Sequence, residues 1–320
     1  MTTSYRLPGQ WRELIDLASP TEERNPASTE LDTQDSAGII GVILGEDARV
    51  AAAVAQQRDR IAQLVDLCVA AIDAGRTVHY VGAGTSGRLG VLDAVELVPT
   101  YSATEEMFTA HLAGGPAAML HAVEGAEDDE AAGAALVGAE AEDGDVVIGI
   151  AASGRTPFVG GALSAARERG LGTGLIAANP SSPLADRADV AVLVDVGPEV
   201  ITGSTRMKAA TAQKITLNAL STATMVRLGT TYQNLMIDVR PSNAKLIART
   251  VRMLVQATGA RPEDAADMLE AADGSVRVAL VALLSGSDAA TAAAELERFP
   301  KDPGRAGDPA GVRSAVEALS

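Results

Sequence analysis

Two kinds of residue in this chain have the types and spacing to do chemistry. One is a set of hydroxyl and amide donors on three glycine-bearing loops, and the other is a pair of carboxylates. The first loop is Gly82-Ala83-Gly84-Thr85-Ser86-Gly87-Arg88. Gly84 lets the backbone come close to a ligand, the start of the following helix adds positive potential, and Thr85 and Ser86 add hydroxyls. The second loop, Ala152-Ser153-Gly154-Arg155-Thr156-Pro157, repeats that logic with Ser153, Arg155 and Thr156. The third, Thr202-Gly203-Ser204-Thr205-Arg206-Met207-Lys208, offers Ser204, Thr205 and the Lys208 ammonium. A single Ser-Gly turn before a helix is an ordinary cap. Three such loops in one domain point to a cradle for a phosphate.

The carboxylates are Glu96 and Glu127. Glu96 falls about three turns into the helix after the first loop, beside Leu92, Val95, Leu97 and Val98. Glu127 lies in His121-Ala122-Val123-Glu124-Gly125-Ala126-Glu127-Asp128-Asp129. By spacing alone, Glu96 reads as a solvated face residue and Glu127 as an acid capping the next helix. Their functional reading is a general acid and a general base. The stretch Gly82 to Gly87 formally fits GxGxxG, but the second strand, Met107 to Leu112, runs into glycine with no acidic residue at its end. A nicotinamide cofactor is therefore not expected.

The elements that must position these groups alternate along the chain. Apolar runs at Val78–Val81, Met107–Leu112, Asp145–Ala151, Thr173–Ala177 and Ala191–Val194 read as strands. Helical spacing covers Ile39–Ala74, about Ser86–Leu97, Pro116–Val123, Asp128–Glu142, Thr156–Arg169 and Ser204–Leu228. This alternation predicts a parallel sheet with helices on both faces, and ligands at the carboxyl ends of its strands. Helices are expected over Asn243–Thr258, Pro262–Leu269, Val276–Leu284 and Ala289–Leu296. The Pro-, Gly- and charge-rich stretch from Pro300 to Asp308 reads as a mobile tail. Trp11, Leu14, Ile15 and Leu17 could make one short helix in an N-terminal extension, ahead of the polar loop Thr21 to Ser28.

Composition narrows the classes. The chain has 320 residues, 47% hydrophobic, with a net charge of −16 and only 2% aromatics. It can bury a core built from Ala, Val, Leu and Ile. The acidic balance and the lack of a Lys/Arg run argue against a nucleic-acid partner, but not against a small phosphorylated one. Cys68, the only cysteine, lies in the apolar pattern Ile61-Leu64-Val65-Cys68 and reads as a buried thiol. His79, His111 and His121 show no zinc-type spacing, so no metal is expected. No segment reaches the ~18 apolar residues of a membrane span, and no leader pattern stands at the N-terminus. A soluble, cytoplasmic protein is the expectation.

Five blocks carry a resemblance: GAGTSGRLGVLDAVE, HAVEGAEDD, IAASGRTPF, TGSTRMKAATAQKITLN and NLMIDVRPSN. Together, and in this order, the chain from about Thr21 to Leu283 resembles the N-acetylmuramic acid 6-phosphate etherase family. The resemblance implies an α/β fold of the SIS (sugar isomerase) type. This is a flavodoxin-like three-layer sandwich with a parallel five-stranded sheet, followed by a small C-terminal helical module. The chain is then expected to divide into 21–258 as the catalytic domain and 259–298 as the module, with residues 1–20 as an extension extra to the family and 299–320 as the mobile tail. The resemblance implies a homodimer, a sugar-phosphate substrate and no cofactor. Glu96 matches the family's glutamate in Asp-Ala-x-Glu, taken as the acid that assists departure of the lactyl group. Glu127 matches the second glutamate of Glu-Gly-Ala-Glu, taken as the base. Gly84, Thr85, Ser86, Ser153, Arg155, Thr156, Ser204, Thr205 and Lys208 match positions on the sugar-phosphate loops. The chemistry would want apolar surroundings for Glu96 and a wetter loop for Glu127. The chain departs from the family pattern at Val95 and Leu97-Val98, where a more polar, proline-containing stretch is usual, and around Asp35 to Leu44. A non-catalytic sugar-phosphate sensor and an aldose–ketose isomerase are the alternatives on the same fold.

Overall fold

The computed structural model describes residues 19–239 and 244–320. The short helix expected around Trp11 lies outside the described residues. Three 3-10 turns, Pro20–Glu22, Pro26–Ser28 and Leu31–Thr33, lead into helices α1 (Ser36–Asp47), α2 (Val50–Ala55) and α3 (Arg58–Asp73). One continuous helix was expected from Ile39 to Ala74, and it is broken twice. The amides of Arg49, Gln56 and Gln57 reach back three residues rather than four, to Glu46, Ala53 and Val54. That tightens and re-aims the chain, while the apolar spacing continues across the breaks and hides them.

Strands and helices then alternate: β1 (Val78–Gly82), α4 (Gly84–Tyr101), β2 (Phe108–Leu112), α5 (Glu130–Glu140), β3 (Val146–Ala151), α6 (Pro157–Glu168), β4 (Gly172–Ala177), β5 (Val190–Leu193) and α7 (Lys208–Arg227). The sheet is wholly parallel, in the order β2-β1-β3-β4-β5. The order reverses between β1 and β3, so the loops leaving these two adjacent strands open side by side, at the switch point where such sheets bind ligands. The expected three-layer sandwich is present.

Alternation along the strands sorts the core onto two faces. Val78, Tyr80, Ile148, Ile150, Ile176 and Val192 share one buried cluster with Leu64 and Cys68 of α3 and Leu217 and Leu220 of α7. Val81, Val147 and Leu175 face the other way, against Val137 of α5 and Val159 and Leu163 of α6. Helices α5 and α6 meet backbone to backbone. A Cβ at Gly133 would stand 1.9 Å from the Phe158 carbonyl oxygen, and one at Gly161 would stand 1.9 Å from that of Glu130.

His79 and His111, unrelated by spacing in the sequence, meet across β1 and β2. His79 Nδ1 lies 2.9 Å from His111 Nε2, and its Nε2 lies 3.0 Å from Asp145 Oδ2. Burial, reinforced by the neighbouring His79, pushes the His111 imidazole down to about 4.

The C-terminal region follows as a hairpin of β6 (Thr231–Tyr232) and β7 (Leu235–Met236), then α8 (Ala244–Thr258), α9 (Pro262–Ala271), α10 (Val276–Ser285), α11 (Ala289–Arg298) and α12 (Val312–Leu319). Two expectations are corrected here. Ile237, together with Met253 and Leu254 of α8, belongs to the same buried cluster as Leu269, Leu280 and Leu296, so the module begins before residue 259. The stretch read as a mobile tail is built into that module. Val312 and Ala315 are fully buried, and Asp308 accepts from the amides of Arg313 and Ser314 at the head of α12. Arg277 donates to the carbonyls of Ala310 and Phe299. The glycines, prolines and charges that suggested mobility make turns and a cap instead.

Candidate active site

The opening loop turns sharply because two glycines allow it. Gly82 and Gly87 face each other so closely that a Cβ on Gly82 would lie 2.7 Å from the Gly87 nitrogen, and one on Gly87 would lie 2.5 Å from Leu112. Helix α4 starts at once on Gly84, at φ +55°. Gly84 is exposed and Thr85 half-buried, so both face the space above the sheet. Ser86 does not. It is buried and donates to Gln213 Oε1 on α7 at 3.0 Å, which ties the two helices together.

The loop after β3 is braced from the neighbouring strand. Asn179, beyond β4, donates to the Ser153 carbonyl at 2.9 Å, and Ser182 donates to the Gly154 carbonyl at 2.9 Å. Gly154 sits at φ +65° with Ser182 Oγ only 2.1 Å from where a Cβ would be. Ser153, Arg155 and Thr156 are half-buried on this braced turn. Pro157 then opens α6.

The third loop differs from its expectation. Helix α7 begins at Lys208, not Ser204, and residues 203–207 form a turn. Its first amides are already occupied: Lys208 and Ala209 donate to Glu199 Oε2 and Oε1, each at 2.9 Å. Burial is the leading influence on Glu199 and raises its pKa. Lys208 is 2% exposed, and its Nζ donates to Glu46 Oε2 at 2.7 Å. The Lys208 hydrogen bond is the largest of the causes that hold the Glu46 carboxyl below its ordinary value. Asn25 Nδ2 donates to the same Glu46 oxygen and to the Pro198 carbonyl, both at 2.9 Å. Lys208 thus has an internal partner in Glu46. Ser204 and Thr205 stay half-buried on the turn. The polar loop Thr21 to Ser28 backs this wall, since Gly203 donates to the Thr21 carbonyl and Ser28 to the Val200 carbonyl.

The two carboxylates border different hollows. Glu127, on a 3-10 turn, Ala126–Asp128, lines a hollow of about 260 Å³ with Gly84, Arg88, Ala113 and Val123. Glu96, twelve residues along α4 from Gly84 and about 18 Å down its axis, borders a hollow of about 530 Å³ with Val91, Val95, Pro99 and Phe108. Its surroundings are apolar, as expected, yet Glu96 itself is exposed, and Val95 beside it is 62% exposed.

Residues 60–167 match the glucokinase regulatory protein N-terminal SIS domain, and residues 122–223 match the SIS domain. The N-acetylmuramic acid 6-phosphate etherase of Thermobifida fusca (strain YX) is 51% identical to this chain over 269 residues, which span 84% of this chain and 88% of the relative. That of Symbiobacterium thermophilum is 52% identical over 266 residues, spanning 83% and 89%. The chain belongs to the N-acetylmuramic acid 6-phosphate etherase family. Among solved structures, a phosphoheptose isomerase from Francisella tularensis aligns with a TM-score of 0.48 at 16% identity, covering 60% of this chain and all of the isomerase. The Vibrio vulnificus NanR protein complexed with ManNAc-6P aligns with a TM-score of 0.45 at 18% identity, covering 61% of this chain and 64% of NanR.

Within this etherase family frame, the residues that spacing did not single out are Asn25, Glu46, Glu199 and Gln213. Each holds a loop rather than facing open space, and Asn25, Glu46 and Gln213 find partners far along the chain. For Asn25 the signal was the density of polar residues between Thr21 and Ser28.

Proposed function

We propose that this chain cleaves the D-lactyl ether of N-acetylmuramic acid 6-phosphate, giving N-acetylglucosamine 6-phosphate and D-lactate. The observation that carries this reading is the half-identical match to etherases over more than four-fifths of the chain. Glu96 and Glu127 stand in the expected segments.

The chemistry assigns each carboxylate one task. In the ring-opened sugar the carbon 2 proton is α to the aldehyde and is acidic enough to abstract. Glu127 takes that proton. The electron pair forms the bond between carbons 2 and 3 as the ether bond at carbon 3 breaks. Glu96 gives its proton to the departing lactyl oxygen. Water then adds at carbon 3, and carbon 2 regains a proton. The phosphate is held by Gly84 and Thr85 on the first loop, Ser153, Arg155 and Thr156 on the second, and Ser204 and Thr205 on the third.

Glu96 needs a drier place than the single chain provides. The outer face of α4 exposes Leu92, Val95 and Val98 around it. A second copy of the chain seated there would remove this apolar surface, and the site around Glu96, from water. The working form is therefore a homodimer. Its place of action is the cytoplasm, because a phosphorylated sugar does not cross a bilayer unaided, and no single described helix is long and apolar enough to span one.

The test is product analysis. The purified protein incubated with N-acetylmuramic acid 6-phosphate in ¹⁸O-water should release D-lactate and leave the label at carbon 3 of the amino sugar. Binding without turnover would replace this reading with a sensor, and a ketose without lactate would replace it with an isomerase.

A further inference from the structure

The connection between β2 and α5, residues 113–129, delivers Glu127 and holds itself by short turns at 116–119 and 126–128, with the stretch between them carrying few bonds. It turns on Gly114, Gly115 and Gly125, at φ +83°, +71° and +75°. The amides of Ala122, Val123, Glu124 and Gly125, just ahead of Glu127, donate to no described residue. Leu120 within it is 85% exposed. A segment of this kind cannot by itself keep a carboxylate within the fraction of an ångström that proton abstraction demands.

The turn that bears Glu127 rests through Ala126 on the core cluster of α6, and a second restraint, on the stretch ahead of it, comes from α4. Arg88, one turn beyond Gly84, turns its guanidinium onto this connection. Its Nη2 donates to the Ala118 carbonyl at 2.7 Å, and its Nε donates to the carbonyls of Ala118 at 3.0 Å and Met119 at 3.2 Å. Nη2 also reaches the His121 carbonyl at 3.5 Å. Arg88 lines the same hollow as Gly84 and Glu127. One rigid helix thus presents the first loop and grips the segment that brings the second carboxylate over it. The planar fork of an arginine can satisfy several carbonyls at once, which a lysine ammonium on a flexible stem does poorly.

We propose that Arg88 is a positioning residue of the reaction, which fixes Glu127 above the opening loop by clamping the carbonyls of Ala118 to His121 to α4. The proposal rests on Glu127 being the base. Its test uses the full-length Arg88→Lys protein, with Arg88→Gln as a second variant should the first fail to fold. Without substrate, hydrogen–deuterium exchange of the bonded amides of Ala118, Leu120 and His121 should quicken by about tenfold, because restrained loops open less often than free ones. With substrate, kcat and exchange of the carbon 2 proton should fall by about 10- to 100-fold, while KM stays within about threefold. Unchanged exchange at these three amides would overturn the clamp. So would a loosened loop with native kcat, or a raised KM with kcat intact, which would make Arg88 a ligand of the sugar phosphate. Because amide exchange is read without substrate, it judges the clamp even if the native protein releases no lactate. That last result would remove the etherase reading instead.

Discussion

Lys208 and Glu46 stand 162 residues apart in the chain and 2.7 Å apart in the fold. A cation on a Ser/Thr-rich loop invites assignment to a phosphate, and only the fold shows that a buried carboxylate has already taken it. Removing one partner of a buried pair leaves the other charge uncompensated. Lys208→Met should therefore destabilise the protein by about 3 kcal/mol in denaturant unfolding. Adding Glu46→Leu to that variant should recover part of the loss, since the two changes share one interaction. If Lys208→Met instead folds with native stability and raises KM, the lysine serves the substrate and the internal role is wrong. Ser86 teaches the same lesson through Gln213. Residue types and local spacing made the hydroxyl loops legible. They did not reveal which hydroxyls and cations would find partners inside the protein, because those partners come from distant turns of the chain.

Elements were legible where one physical signal dominated. Val146 to Ala151 is buried throughout and reads as a strand at sight. Pro157 marks the start of α6. The breaks between α1, α2 and α3 were illegible because apolar spacing runs straight through them, and α12 was hidden behind turn-forming residues that cap it. Helix α4 joins these levels. Its first turn closes the proposed binding loop, its second carries Arg88, and Glu96 lies further along an outer face that exposes Leu92, Val95 and Val98. The departures from the family pattern at Val95 and Leu97-Val98 fall on this same stretch. Leu97 points into the core, whereas Val95 and Val98 point out, so only the latter two bear on a partner surface. A charge at the centre of that surface should break it. Val95→Glu should halve the mass seen by sedimentation and abolish lactate release while leaving the fold intact. A native protein that sediments as a monomer, or a Val95→Glu protein that remains a dimer, would contradict the proposed interface.

At the scale of the whole molecule, the parallel sheet sends the loops after β1, β3 and β5 off the same edge, and α4 leads away from there to Glu96. Within one chain, the two carboxylates border separate hollows, which fits the proposed division of labour between them. It is tested most directly by following exchange of the carbon 2 proton with deuterated water alongside lactate release, in Glu127→Gln and Glu96→Gln proteins. Loss of a general base or acid typically costs about 10²- to 10⁴-fold. The account predicts that Glu127→Gln loses both proton exchange and lactate release by such a factor. It predicts that Glu96→Gln keeps exchanging the proton while lactate release collapses. Native-rate proton exchange in Glu127→Gln, or equal loss of both steps in Glu96→Gln, would contradict the assignment.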